Sequence, residues 1–403
     1  MFHECIIAVP PTGSRLHLMR FDRRELAGAV ADVGVLVPIA VALIVKNGLS
    51  PTAVFLPAAL LYLLAAAVYR LPVPVQPLKA LGAIAIAKGL GSNEIAAAAL
   101  IMGVIFLVLG QTGLIDLASR AFPRVLIRGV QLTVGLLLLK IAWGLVTAAP
   151  KGFDEYALAP RWAVPLGISV VLLALLLRSR PISLVLIGIG VVAMLVLAAG
   201  KASWGPSAIT APSLTWHTFG KAFTVLVIAQ LPLTFANSCL ATADAAGKYF
   251  GERARRVRPG RLASTLGCAN LFSGAISGMP VCHGAGGMTA HYAFGARTGG
   301  APLVMGGSLL TLAVVGGSGL AGLLTAFPLP VLAGLLATAG LLHIGLLRDL
   351  RGWWSWALAL LVGIAGFEVN LALALGIGLA LWWGVRAILR LRDTFAGKAP
   401  TLG

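Results

Sequence analysis

Eight residues in an otherwise apolar chain are suited to holding a small anion. Gln76 and Lys79 stand in LPVPVQPLKALGA, and Cys282, His283 and Gly284 in SGMPVCHGAGGMTA. Gln230 and Asn237 stand in AQLPLTFANS, and Asp32 in VADVGVLVP. Pro72, Pro74 and Pro77 in the first stretch, and Pro280 in the second, precede runs of small residues. Proline removes a backbone donor and pushes its predecessor out of helical geometry. Each stretch therefore reads as an extended segment running into a helix. The first amides of a helix have no partner within it, and the helix dipole adds positive potential there. Two such ends facing each other form an anion site from backbone alone. Gly284, Gly286 and Gly287 would let amides approach a tetrahedral oxyanion closely. An ionisable group at membrane depth points to function, which singles out Lys79.

Each of these residues also has a structural reading. Lys79 could snorkel or pair, His283 could be a hydrogen-bonded core histidine, and Asp32 could cap or link helices. Gln230, Thr234 and Asn237 fall at i, i+4 and i+7, one helix face that could bond a neighbouring helix. Other chemistries fit less well. HGAGG follows no strand and is not completed by GK[ST], so it is no nucleotide loop. Cys282 and His283 lack a third ligand or a base partner, which argues against a metal centre or an intramembrane enzyme. The four cysteines show no CxxC spacing and read as small buried hydrophobes. No cofactor and no metal is expected.

The elements that must position these residues are membrane spans. Charged residues are only 11% of the chain and hydrophobic ones 59%, with a mean hydropathy of +0.96, against roughly 25% charged in a soluble domain. Fourteen segments are expected, near 25–46, 52–70, 73–90, 94–111, 123–147, 162–178, 181–199, 220–241, 262–278, 281–294, 300–318, 328–345, 353–367 and 369–389. The apolar runs suit a hydrocarbon core of about 30 Å, and the third and tenth are short and broken. Residues 1–24 are polar and basic, without the cleavage site of a secretory signal.

Charge fixes the orientation. With a cytoplasmic N-terminus, twenty-two Lys and Arg fall inside and six outside, a strong positive-inside bias that puts both termini in the cytoplasm. The net charge of +18 is spread over short loops and implies no nucleic-acid partner. Lys79, Arg128 and Lys140 remain near membrane depth, and Arg128 lies close enough to a helix end to snorkel.

Fourteen segments divide as seven plus seven, and local signals recur. Phe122, Pro123, Gly129 and Gly135 reappear as Phe327, Pro328, Gly334 and Gly340, displaced by 205, and Pro74 reappears as Pro280, displaced by 206. An odd number of spans per half inverts the topology, as in secondary transporters with a site at the repeat interface. The halves would be residues 25–199 and 220–389, followed by a cytoplasmic tail at 390–403.

Four stretches together resemble the molybdate transporter family, a distant branch of the sulfate permease superfamily: ELAGAVADVGVLVPIAVAL (25–43), PVPVQPLKALGAIA (72–85), QLPLTFANS (230–238) and MPVCHGAGGMTAHYAFGARTGG (279–300). The resemblance implies an all-α polytopic fold with fourteen transmembrane segments in a 7+7 inverted repeat. A core domain (spans 1–4 and 8–11) would face a gate domain (spans 5–7 and 12–14). It further implies a substrate site between spans 3 and 10, with Gln76, Lys79, Gln230, Asn237, Cys282, His283 and Gly284 at motif positions. The expected cargo is molybdate, moved by alternating access across the cytoplasmic membrane. Tungstate and sulfate are expected competitors, and sulfate transport or an anion channel are the alternatives. Asp32 is the coupling candidate, taking a proton as the anion binds, and a homodimer is compatible with this build. A nucleobase carrier of the same fold would want acidic residues where Gln230 and His283 stand. Two departures stand out. The family's first motif usually reads Asp-Leu-Gly-Thr, whereas Asp32 precedes Val33, Gly34 and Val35. No cytoplasmic regulatory domain is expected after the last span.

Overall fold

The structure, a computed structural model, describes residues 19–29, 32–115, 123–148, 155–176, 182–197, 200 and 203–395. Cys5, Phe122, Arg15, Arg120, Lys151, Arg178, Arg180, Lys201 and Lys398 lie outside the described residues.

The chain is nearly all helical. The first half holds α1 (Arg23–Ala29), α2 (Val33–Asn47), α3 (Pro51–Tyr69), α4 (Lys79–Lys88), α5 (Ser92–Thr112), α6 (Arg124–Thr147), α7 (Pro160–Leu176) and α8 (Ile182–Leu197). The second half opens with one long helical run, α9 (Trp216–Ala222), α10 (Ile228–Leu233) and α11 (Thr242–Phe250), joined by π-helical turns at Phe223–Val227 and Thr234–Ala241. It continues with α12 (Pro259–Ala275), α13 (Ala285–Ala293), α14 (Gly300–Thr311), α15 (Gly317–Leu324), α16 (Leu329–Gly345), α17 (Trp353–Ala365) and α18 (Leu371–Phe395). Among the described residues, seven helical runs are long and apolar enough to cross a membrane. Leu176 is 78% exposed and Val196 73%, surface that hydrocarbon rather than water would cover.

Several boundaries differ from the sequence reading. The eighth segment, expected at 220–241, is part of the longer run from Trp216, because Gly251 with its positive φ and the Pro259 start of α12 are the first breaks after it. Segments 13 and 14 have no loop between them, only a π turn at Gly366–Asn370. They nevertheless fold back on each other: a Cβ on Gly378 would lie 2.6 Å from Val362. A straight helix would separate those positions by about 24 Å at 1.5 Å per residue.

Close glycine contacts fix the main helix pairs, as expected where small residues let backbones approach. A Cβ on Gly135 would stand 2.7 Å from Gly340 O, and one on Gly340 the same distance from Gly135 O, locking α6 to α16. On α5, Gly103 faces Leu271 of α12, while Gly267 and Gly274 of α12 face Leu107 and Leu100. Arg128 reaches out to Asp349, whose side chain is 41% exposed. It grips Asp349 through two guanidinium nitrogens, with Nε 2.8 Å from Oδ1, and its Nη1 donates to Gln131. Lys140 stands 5.5 Å from the Phe367 ring centroid. Cys239 and Cys282 are buried, but Cys268 is exposed, contrary to its reading as a buried hydrophobe.

Buried Glu25 fastens the start of the chain. Its Oε1 accepts from Arg297 N and Thr298 N at 2.8 Å, and its Oε2 from Ala301 N at 3.1 Å. A carboxylate on the free amides leading into α14 satisfies donors that a helix start leaves open.

Candidate functional site

Two broken segments cross at the centre of the chain. Residues Gln76–Pro77 (β1) pair antiparallel with Val281–Cys282 (β2), Gln76 opposite Cys282 and Pro77 opposite Val281. Leu78 N donates to Pro280 O at 3.0 Å, and Asn270 of α12 clamps both backbone groups of Val281. The prolines leave too few donors for a longer ladder, so pairing stops after two residues. Since the strands run in opposite directions, α4 and α13 leave the crossing in opposite directions. Both helix N-termini therefore meet at the crossing, each contributing about half a positive charge.

Five of the residues singled out in the sequence gather there. Lys79 Nζ, half-buried, donates to Gln76 Oε1 at 2.5 Å, and Gln76 Nε2 donates to Asp32 Oδ1. A Cβ built on Gly284 would lie 2.9 Å from Gln76 Oε1 and 3.3 Å from Asn237 Nδ2, which brings Asn237 to the same spot. Asn237 comes from the π turn Thr234–Ala241. The sequence reading assumed a regular helix there, and π turns recur at functional sites.

The other three named positions brace the crossing. Gln230 Oε1 accepts from Leu81 N at 3.0 Å and its Nε2 donates to Thr234 Oγ1 at 3.0 Å, so it closes one open amide of α4. Cys282 Sγ lies 3.4 Å from Pro77 O. His283 has both ring nitrogens engaged, Nδ1 on Pro74 O at 2.8 Å and Nε2 on Thr265 Oγ1 at 3.2 Å, with Tyr69 edge-on to its ring. Its imidazole ties the extended stretch to α12 rather than facing the helix ends.

Asp32 precedes α2 but makes no cap with its side chain. It is 1% exposed, and donors converge on its carboxylate. Tyr62 Oη donates to Oδ2 at 2.8 Å, Gln76 takes Oδ1, and His291 Nε2 lies 2.9 Å from Oδ2. His291 and Tyr62 were missed in the sequence. His291 follows Gly287 by four, hence shares its helix face, and an intramembrane histidine warranted the same attention as Lys79. Gly287 permits the approach, because its Cβ would stand 2.6 Å from Asp32 Oδ1 and 2.7 Å from Gln76 Nε2. Among the described residues no His, Cys, Asp and Glu gather into a metal-holding group.

The description "Molybdate transporter of MFS superfamily" matches residues 24–138 and 222–342, blocks that contain every residue of this cluster. The chain belongs to the molybdate transporter family. It is 28% identical to Molybdate transporter 1 of Arabidopsis thaliana, over 83% of this chain and 82% of that one. Molybdate transporter 2 of the same plant is 26% identical, over 81% and 79%. Molybdate transporter 1 of Chlamydomonas reinhardtii reaches 39% over a shorter stretch, 34% of this chain and 27% of that one. The fold resembles the transmembrane domain of the cyanobacterial bicarbonate transporter BicA (TM-score 0.63, 19% identity, 87% of this chain and 97% of that one). It also resembles murine Solute Carrier 26 family member A9, an anion transporter in its inward-facing state (TM-score 0.65, 15% identity, 93% of this chain and 69% of that one). This is therefore a multi-pass membrane transporter of the sulfate permease fold, and not an enzyme.

Proposed function

We propose that this transporter carries molybdate across the cytoplasmic membrane by alternating access. The oxyanion sits between the N-termini of α4 and α13, beside Lys79, Gln76, Asn237 and Gly284. The observation that carries this reading is the antiparallel crossing itself, which aims two helix N-termini and one lysine at a single point. Neutral backbone and one ammonium suit a small dianion, which needs several donors close together. Gln230, Cys282 and His283 act in this reading by holding the crossing rather than by touching the anion.

Fourteen spans in an inverted repeat fit the helix contacts, which come in exchangeable pairs. The pair α5 with α12 answers to α14 with α3, and α6 with α17 answers to α16 with α7. A core of spans 1–4 and 8–11 would then move against a gate of spans 5–7 and 12–14, with both termini cytoplasmic. Inward movement of a dianion runs against the membrane potential, and a proton taken at the buried Asp32 cluster lessens that work.

Uptake of labelled molybdate into proteoliposomes tests the reading, with tungstate, sulfate and uracil as competitors. Saturable uptake is expected, with tungstate competing at least as well as sulfate. Sulfate outcompeting both would reassign the cargo, and non-saturating flux that never exceeds equilibrium would make the protein a channel. Transport of uracil without oxyanion competition would reject the site.

A further inference from the structure

His291 is fully buried, yet its Nδ1 has no hydrogen-bond partner among the described residues. Its Nε2 faces the Asp32 carboxylate, an acceptor, so Nε2 carries the hydrogen and Nδ1 is left as a bare lone pair. An unmet buried acceptor is costly and calls for a reason. The same ring ends a continuous chain of polar contacts, which reaches it at Nε2. Lys79 donates to Gln76, Gln76 to Asp32, and Asp32 meets His291. The geometry points to His291 as the group that carries the coupled proton, bound at Nδ1 when the oxyanion occupies the crossing. This rests on the anion site proposed above and moves the proton from Asp32 to its partner.

Charge balance at the site supports this. Lys79 and Asp32 cancel, and two helix N-termini together supply about one positive charge. A dianion then leaves the site about one charge short, and a proton on His291 closes the difference. Asp32 stays a carboxylate, held by Tyr62 and Gln76, and faces the imidazolium directly. The step forms one N–H bond at Nδ1 with a proton from the aqueous side, and that proton leaves after the anion is released.

Several charged or titratable groups on the elements packed against α13 are engaged elsewhere, among them Asp244 and Lys248 of α11, which pair with each other at 2.8 Å. His283 has both nitrogens bonded, and Glu25 is held by three amides. Arg297 stacks 3.7 Å over Tyr292, Tyr249 contacts Thr289, and Cys282 lies against Pro77 O. Among the described residues, Asp32 is the carboxylate that meets the His291 ring.

The test uses the full chain and H291Q, whose amide can still donate to Asp32 but cannot take a proton. Molybdate affinity is measured between pH 8 and pH 6, with proton uptake followed by an indicator dye in weak buffer. In the parent, affinity should rise by up to about tenfold per pH unit, the slope for one linked proton, and about one proton should enter per molybdate. In H291Q affinity should stay at the weak alkaline value, and proton uptake should vanish. A parental slope in H291Q makes His291 a structural clamp and overturns the inference. No proton uptake by the parent does the same, while leaving the anion site standing. If the parent binds no oxyanion at either pH, the anion site itself fails. Should H291Q not fold, Y62F decides. Removing one donor from Asp32 strengthens its hold on the imidazolium, so the pH midpoint should move upward, and an unmoved midpoint counts against the inference.

Discussion

Gly286 and Gly287 are neighbours in one helix, yet alanine should have opposite effects at the two. A Cβ on Gly287 would stand 2.6 Å from Asp32 Oδ1, 2.6 Å from Pro74 Cβ and 2.7 Å from Gln76 Nε2. Real Cβ atoms do not occupy such positions, so either α13 moves away or the Asp32–Gln76 contact opens. Neither neighbour yields cheaply, because Pro74 is anchored through its carbonyl to His283 and Asp32 is held from three sides. Overpacking of this kind costs about 1–3 kcal/mol, which is roughly 5- to 150-fold in an equilibrium constant at 1.4 kcal/mol per tenfold. A Cβ on Gly286 meets nothing within 4 Å, and alanine favours a helix over glycine by about 0.5–1 kcal/mol. Gly287→Ala should therefore weaken molybdate binding by one to two orders of magnitude, and Gly286→Ala should bind like the parent with an equal or higher melting temperature. Binding and thermal melting of the two purified variants decide between them. Equal behaviour would show that α13 does not press on the Asp32–Gln76 pair.

Three other substitutions probe the same cluster. Lys79→Ala should weaken binding more than Lys79→Arg, because an ammonium in a low-dielectric crossing attracts a dianion over a short distance. Parental affinity in a folded Lys79→Ala protein would make the lysine structural. Gly284→Val should abolish measurable binding, since even its Cβ lies 2.9 Å from Gln76 Oε1, and unchanged affinity would move the anion elsewhere. Asp32→Asn should stop accumulation driven by a pH gradient while leaving molybdate–molybdate exchange, and persistent accumulation in that variant would remove Asp32 from coupling.

The broken segments could be read from the sequence because proline and glycine act locally. Pro38 and Pro57 each sit inside a helix, but Pro72, Pro74 and Pro77 crowd too close together for helical bonding, and Gly284, Gly286 and Gly287 carry no side chain to hinder approach. What could not be read was which side chain faces which. His283 sits in the most distinctive motif, and its neighbours in sequence suggested a ligand. Its partners, Pro74 O and Thr265, are 209 and 18 residues away and hold the ring between the extended stretch and α12. His291, in the same motif, meets Asp32 across 259 residues, a contact no local pattern encodes. The corner at Gly366–Asn370 was hidden for a different reason: a π turn keeps the helical hydrogen-bonding pattern, so hydropathy alone placed a boundary without its geometry.

Neutrality at the site is not neutrality of transport. Lys79, Asp32 and the helix ends belong to the protein, so the cargo carries two negative charges and the proton on His291 removes only one. At 100 mV, inside negative, the bare dianion works against about 4.6 kcal/mol, twice the charge cost, and the protonated complex against about 2.3 kcal/mol. A pH difference of one unit returns about 1.36 kcal/mol for one proton. A one-proton cycle therefore accumulates molybdate against 100 mV only when the outside is more acidic by upwards of about 1.7 units, the ratio of those two energies. An inside-negative potassium diffusion potential set with valinomycin should accordingly slow uptake into proteoliposomes at fixed pH gradient, and an inside-positive one should speed it. Uptake indifferent to potential would require a second proton. Asp32 is the group in position to take it, because the Tyr62 hydroxyl at 2.8 Å can turn from donor to acceptor.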